Sequence, residues 1–178
     1  MANPEILVAD DEPRGRPPAS PPLPPEPPLA DEVVLLRVPR EADADAIAAA
    51  CADPEIARWI PVPVPYSLAD AHAFLDEVTA GWSAGTNLTF VIEERARATL
   101  AGMIDLRPAD GPGRAAVGYW LAPGARGRGL ATRALRLVAA WALADRTLAR
   151  LELMTMVGND ASGRVALRAG FRREGILH

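Results

Sequence analysis

The spacing of apolar positions changes several times along the chain, and each change marks an element. Val33 to Val38 is a short β-branched run ended by Pro39 and predicts a first strand. Ala42 to Ala52 is rich in alanine, and Ile47 and Cys51 stand four apart, which predicts a helix with one apolar face. Cys51 is expected in the core, because free cysteine is commonly buried and no histidine stands near it in the sequence. Pro61, Pro63 and Pro65 break the chain before a second helix. That helix opens at Ser67, with Asp70 three residues on in the S-x-x-D capping pattern, and runs through Phe74, Leu75 and Val78 to Gly81. Asn87 to Glu93, Thr99 to Arg107 and Ala115 to Leu121 read as strands, and Ala109-Asp-Gly-Pro-Gly113 is a turn, so the three form an antiparallel meander. A helix from Leu130 to Arg146 follows, then a strand from Leu148 to Val157. Asn159 or Asp160 caps a last helix that Gly170 stops, and Phe171 to Leu177 is the final strand. The order β-α-α-β-β-β-α-β-α-β predicts an α/β (α+β) domain around a mixed, mostly antiparallel sheet.

The region before this pattern differs in kind. Ten of the 18 prolines lie in residues 1–28, and Pro17 to Pro28 reads PPASPPLPPEPP, which favours extended polyproline II. Residues 1–31 are therefore expected to be a disordered, proline-rich tail, and the folded domain to span 32–178. At 178 residues and 49% hydrophobic, the chain can bury one core. With Cys51 as its one cysteine it can build neither an intrachain disulfide nor a CxxC pair, which points to a reducing, cytoplasmic setting. No apolar run approaches the roughly 18 residues of a membrane span, and Met1 to Pro13 carries acids where a signal peptide carries cations. No metal site is expected.

Charge changes the picture further. Residues 1–32 carry seven acids and two arginines, residues 33–110 twelve and six, and residues 111–178 four and eleven. Net charges of −5, −6 and +7 thus hide inside a total of −4. The cationic last third calls for an anionic partner. A pI near 5.2 argues against a broad nucleic-acid face, so a small polyanion fits better. Arg126-Gly-Arg-Gly-Leu-Ala131 stands where a turn leads into the long helix. Gly127 and Gly129 allow close backbone approach, and the unpaired N–H groups of the first helical turn bind anions. This is a pyrophosphate cradle. A P-loop is excluded, since it needs a lysine and the chain has none. A dinucleotide fingerprint fits poorly, because Thr132 occupies the place of its third glycine or alanine. Arg126, Gly129 and Ala131 satisfy a third pattern, R/Q-x-x-G-x-G/A.

Taken in order, Gly118-Tyr-Trp-Leu-Ala-Pro123, Arg126-Gly-Arg-Gly-Leu-Ala-Thr132, Asn159-x-x-Ser162 and Ala169-Gly-Phe-Arg-Arg-Glu-Gly175 resemble the GNAT superfamily of acetyl-CoA-dependent N-acetyltransferases. The branch they are most similar to is the ribosomal-protein-alanine N-acetyltransferase type. The resemblance spans Val33 to His178 and implies a sheet that splays between the strands before and after the long helix. It implies that backbone of Arg126, Gly127, Arg128, Gly129, Leu130 and Ala131, with the Thr132 hydroxyl, holds the pyrophosphate of acetyl-CoA. Trp120 and Leu121 would pair with the pantetheine arm, Asn159 would bond it, and Ser162 would protonate the departing thiolate. Trp59, Tyr66 and Trp82 fall in the region that lines the acceptor pocket. The implied reaction is direct attack of a primary amine, on a protein N-terminus or a small molecule, in a ternary complex.

Two departures qualify the match. Ala116 stands where many relatives carry a glutamate, which leaves the general base unassigned among Glu93, Asp105 and His72. The chain also stops at His178 where relatives continue into a further antiparallel strand. A missing strand leaves an exposed edge, with reduced stability or a homodimer as the expected outcome. Both departures keep a second reading open, a non-catalytic acyl-CoA-binding or sensing domain.

Overall fold

The structure, a computed structural model, describes residues 4–10, 24–144 and 148–176. Its strands are β1 (Pro4–Asp10), β2 (Leu29–Ala30), β3 (Val34–Arg37), β4 (Leu88–Glu94), β5 (Thr99–Pro108), β6 (Arg114–Leu121), β7 (Arg150–Met156) and β8 (Arg172–Ile176). Its helices are α1 (Ala44–Cys51), α2 (Pro54–Trp59), α3 (Leu68–Ala84), α4 (Leu130–Ala144) and α5 (Asp160–Arg168). The strands form one sheet in the order β2-β3-β4-β5-β6-β7-β1-β8, antiparallel except for β6 beside β7.

Both faces of the sheet are covered, so the central strands read as nearly continuous apolar runs rather than as a clean alternation. Phe90, Ile92, Ile104, Leu106 and Val117 point to one face, where they meet Leu130, Leu135 and Val138 of α4. Val91 and Met103 point to the other, against Ile47 and Cys51 of α1, Ile56 of α2 and Leu75 of α3. Cys51 is buried as expected, and burial pushes its thiol up to about 11, outside the range of a reactive thiolate. The predicted capping box opens α3: the Ser67 hydroxyl accepts from the Asp70 N–H at 3.2 Å, and the Asp70 carboxylate accepts from the Ser67 N–H at 2.8 Å. The helix runs past Gly81 and ends at Gly85, whose φ of +67° makes a left-handed cap. Sequence reading passes over α2, a six-residue helix that Asp53 caps and Pro54 starts.

The largest correction concerns residues 1–31. Pro4–Asp10 is not a tail: it is an interior strand, paired antiparallel with β7 through Leu7 opposite Leu153 and with β8 through Val8 opposite Arg172. Leu7 and Val8 are fully buried. Leu29–Ala30 also joins the sheet, and Arg133 on α4 fastens the next two residues through Asp31 at 2.7 Å and Glu32 at 2.6 Å. Much of the proline-rich stretch, residues 11–23, lies outside the described residues. The expected gap in the sheet is thus filled from within, and the edge that called for a second copy is covered by β1. The residues of the outermost strand, β8, are exposed and include Arg172, Arg173 and Glu174, charges that discourage edge-to-edge pairing.

Gly102 shows how tightly the meander is packed. A Cβ there would stand 2.1 Å from the Trp120 carbonyl oxygen and 2.9 Å from the Leu121 Cα across the β5–β6 pair. Backbone cannot yield as a flexible side chain does, so Gly102→Ala is expected to cost about 2–3 kcal/mol. Urea unfolding measures this, and an unchanged midpoint contradicts the packing described.

Candidate active site

The parallel pairing of β6 with β7 lasts only from Arg114–Arg150 to Ala116–Glu152. Beyond that point β6 runs on to Leu121 and β7 to Met156 without pairing, so the sheet opens into a wedge, as the resemblance implies. A cavity of about 530 Å³ lies over this opening, a volume typical of small-molecule sites. Gly118, Tyr119 and Trp120 line it from β6, Thr155 from β7, and Asn159 and Ser162 from the start of α5.

Past the end of β6, a 3₁₀ turn at Pro123–Ala125 delivers the chain to Arg126 and the start of α4. Gly127 and Gly129 have φ of +73° and +76°, and nothing lies within 4 Å of where a Cβ would stand on either. This is a concave stretch of backbone open to a ligand. Leu130, Ala131 and Thr132 are buried, Leu130 in the larger core, and the first-turn N–H groups of α4 have no helical carbonyl to bond. The helix dipole and these N–H groups favour an anion by roughly 1–2 kcal/mol.

The two cradle arginines are already partnered. Arg126 reaches Asp53, the cap of α2, at 2.5 Å, and Arg128 pairs with Glu94, which also binds Arg97 at 2.5 Å. Hydrogen bonds from Arg126 hold the Asp53 carboxyl below its usual range, and those from Arg128 and Arg97 do the same for Glu94. The Arg126–Asp53 pair is partly exposed and therefore weak, whereas the Glu94 carboxylate is buried and keeps Arg97 as a partner if Arg128 turns away.

Asn159 accepts the Ser162 N–H at 3.1 Å through Oδ1 and so caps α5, which leaves its amide nitrogen group as the part able to donate to a ligand. Ser162 Oγ stands 2.9 Å from Tyr119 Oη. Burial pushes the Tyr119 phenol up to about 12, so it keeps its proton at neutral pH. Tyr119 escapes sequence reading because its partner is distant in the chain, although the Gly-Tyr-Trp motif contains it.

Of the three aromatic residues expected around an acceptor, Trp59 and Tyr66 line the cavity, together with Phe74 and Met103. Trp82 does not. It is buried at the far end of α3, donates to the Thr89 carbonyl at 2.9 Å, and meets Phe90 edge-on at 5.1 Å. It packs in the larger core with Val78 and Phe90, so packing rather than the cavity claims it.

The three candidate bases also separate. Glu93 is held by Arg37 at 2.6 Å, and His72 lies 2.6 Å from Glu41; neither lines the cavity. Asp105 does.

The residues thus assemble an anion-binding helix end, an unpaired length of strand and a cavity holding a hydroxyl and a carboxylate. Comparison with known proteins gives this arrangement its family. The family model described as an acetyltransferase (GNAT) domain matches residues 34–172. An uncharacterized N-acetyltransferase of Bacillus subtilis (strain 168), YoaA, is 27% identical over 150 residues, which is 84% of this chain and 85% of that protein. Mycobacterium smegmatis RimJ, solved in complex with CoA-disulfide, superposes with a TM-score of 0.72 at 28% identity, covering 81% of this chain and 72% of that one. The microcin C7 self-immunity acetyltransferase MccE, solved with acetyl-CoA and AMP, shares the fold with a TM-score of 0.73 at 21% identity over 83% of each chain. Among the described residues no helix is long and apolar enough to cross a membrane. With its family model covering most of the chain, from β3 to the first residue of β8, this protein belongs to the GNAT acetyltransferases.

Proposed function

We propose that the chain transfers the acetyl group of acetyl-CoA to a primary amine by direct attack in a ternary complex, in a reducing, cytoplasmic setting. The observation that carries this reading is the wedge between β6 and β7, open onto a cavity and standing next to an anion-binding helix end. Acetyl-CoA supplies the activated thioester, and the chain supplies the rest. Backbone N–H groups from Gly127 to Thr132 receive the pyrophosphate, and Arg126 and Arg128 turn to it from Asp53 and Glu94. A bidentate arginine–phosphate contact replaces each ion pair, and Arg97 stays on the buried Glu94 when Arg128 leaves it. The unpaired edge of β6 at Trp120 and Leu121 offers main-chain hydrogen bonds to the pantetheine amides, and Asn159 donates a further one.

Ser162 gives its hydroxyl proton to the departing thiolate. Tyr119, 2.9 Å away, orients that hydroxyl and can donate to the serine oxygen as charge develops on it. On the other side of the wedge, the apolar wall of Trp59, Tyr66, Phe74 and Met103 suits a primary amine whose flank is apolar, either a protein N-terminus or a small molecule. RimL, the ribosomal L7/L12 α-N-protein acetyltransferase, shares this fold with a TM-score of 0.73.

Calorimetry with acetyl-CoA, run beside thiol release over a panel of amines, tests the reading. Binding without turnover on any amine refutes it. Ser162→Ala is expected to lower kcat by about 10²-fold while acetyl-CoA affinity stays within about twofold, since the serine serves the leaving group. A wild-type kcat removes Ser162 from the mechanism.

A further inference from the structure

Asp105 is a half-buried carboxylate in the wall of the cavity. It lies on β5, opposite Thr89 of β4 and Gly118 of β6, on the face that carries Met103 and Trp120. Gly118 makes the space for it: a Cβ on that residue would stand 2.8 Å from Asp105 Oδ1. The next same-face residue of β6, opposite Arg107, is Ala116, which also brings no functional group. Two small residues on β6 therefore leave room beside the wedge for two side chains of the adjoining strand, the Asp105 carboxylate and the Arg107 guanidinium, whose Nη2 would stand 3.2 Å from a Cβ on Gly118.

The surroundings satisfy it in part: backbone N–H groups of Asp105 and Gly118 reach the carboxylate, and one oxygen is left over. Arg107 Nε lies 2.9 Å from Asp105 Oδ2 but without the alignment of a hydrogen bond, and Oδ2 is buried with no hydrogen-bond partner. An unsatisfied buried acceptor costs stability, so it is kept where a ligand completes it. Arg107 also lines the cavity, and the other charged or titratable groups there are Glu77 on α3, Tyr66 ahead of it, Cys51 on α1 and Tyr119 on β6. Among the described residues Asp105 and Glu77 are the cavity's carboxylates, and Glu77 is exposed to solvent.

We infer that Asp105 is the catalytic base of the acetyl transfer, the carboxylate that receives the acceptor ammonium and takes its proton. This rests on the acetyltransferase reading above. The carboxylate removes one proton from R–NH₃⁺, and the freed lone pair forms the C–N bond to the thioester carbonyl carbon. The C–S bond breaks with its electron pair on sulfur, which ends protonated. The second proton lost by nitrogen balances the one that sulfur gains, and the proton on Asp105 leaves to solvent. Burial outweighs the nearby Arg107 and raises the Asp105 carboxyl above its ordinary range, which makes it a better acceptor of a proton than an exposed aspartate. The base stands on the acceptor side of the wedge, while Ser162 and Tyr119 stand beside β7 and α5 on the other.

The test uses the full chain. Carbon-13 NMR of the aspartate carboxyls, with the Asp105 resonance assigned by its loss in Asp105→Asn, is expected to show titration above the ordinary range in the absence of any ligand. Thiol release is then followed with acetyl-CoA and a panel of tripeptides beginning in Ala, Ser or Met, 2-phenylethylamine and spermidine, using whichever amine the wild type acetylates fastest. Wild-type kcat/KM should rise with pH through the midpoint seen by NMR. Asp105→Asn should lose about 10²–10⁴-fold in kcat/KM together with that limb, and still bind acetyl-CoA as the wild type does. It should also unfold no more readily than the wild type at pH 8. A carboxyl with a raised folded pKa weakens the fold as pH rises through that pKa, and the amide removes this effect. A variant within threefold of wild-type kcat/KM, or an Asp105 carboxyl titrating in the ordinary range, overturns the inference. If wild type binds acetyl-CoA but acetylates no amine in the panel, the acetyl-transfer reading fails and the inference falls with it.

Discussion

Leu7→Asp is expected to remove most of the stability of the fold. Leu7 has no exposed surface, packs in the larger core, and sits in β1 between Leu153 and Arg173 on its two neighbours. A carboxylate there is buried among apolar side chains with no partner, and even truncation to alanine at such a site costs about 2–5 kcal/mol. Against a total of about 5–15 kcal/mol for a domain, the charged variant loses a large share. For a chain of this size each 1 kcal/mol lowers Tm by about 2–4 °C, so a fall of at least about 10 °C is expected by thermal unfolding. If Leu7→Asp melts with the wild type, β1 does not belong to the sheet.

Gly129→Val is the second. Its φ of +76° is one that a β-branched residue rarely adopts, and its Cβ would project into open space rather than into the fold. The strain costs about 1–3 kcal/mol, which the fold survives. The ligand site does not, because the added methyls occupy the place where the pyrophosphate meets backbone N–H groups. Acetyl-CoA affinity is expected to fall at least 100-fold, about 2.8 kcal/mol, by calorimetry. Gly129→Ala should fall in between, and a valine variant that binds as the wild type does refutes the cradle.

What sequence reading reaches here follows from how local each cause is. The Ser67–Asp70 cap, the Gly113 turn and the glycine-bearing approach to α4 act within a few residues, and they are found where the spacing predicts them. The meander is legible for the same reason, since each of its strands pairs with the next in sequence. β1 is not legible. Ile6-Leu-Val-Ala9 is an ordinary short apolar run, and its strand partners lie at the opposite end of the chain, so proline density nearby outweighs it. Trp59 and Trp82 look alike as aromatic residues on helices, and the sheet decides between them by leaving one at a cavity and covering the other. Asp105 stands out from Glu93 and His72 only when Arg37 and Glu41 are seen to hold those two elsewhere.

The position of β1 also bears on when the protein can fold. Pro4–Asp10 is made before the other described strands, yet it must lie between β7 and β8, which come more than 130 residues later. Until β7 and β8 have been made, an apolar strand with both edges bare travels ahead of its partners. Contacts so distant in sequence slow folding and leave such edges open to wrong pairings. Sheet closure therefore waits for β7 and β8, and a chain that still lacks them leaves both edges of β1 open.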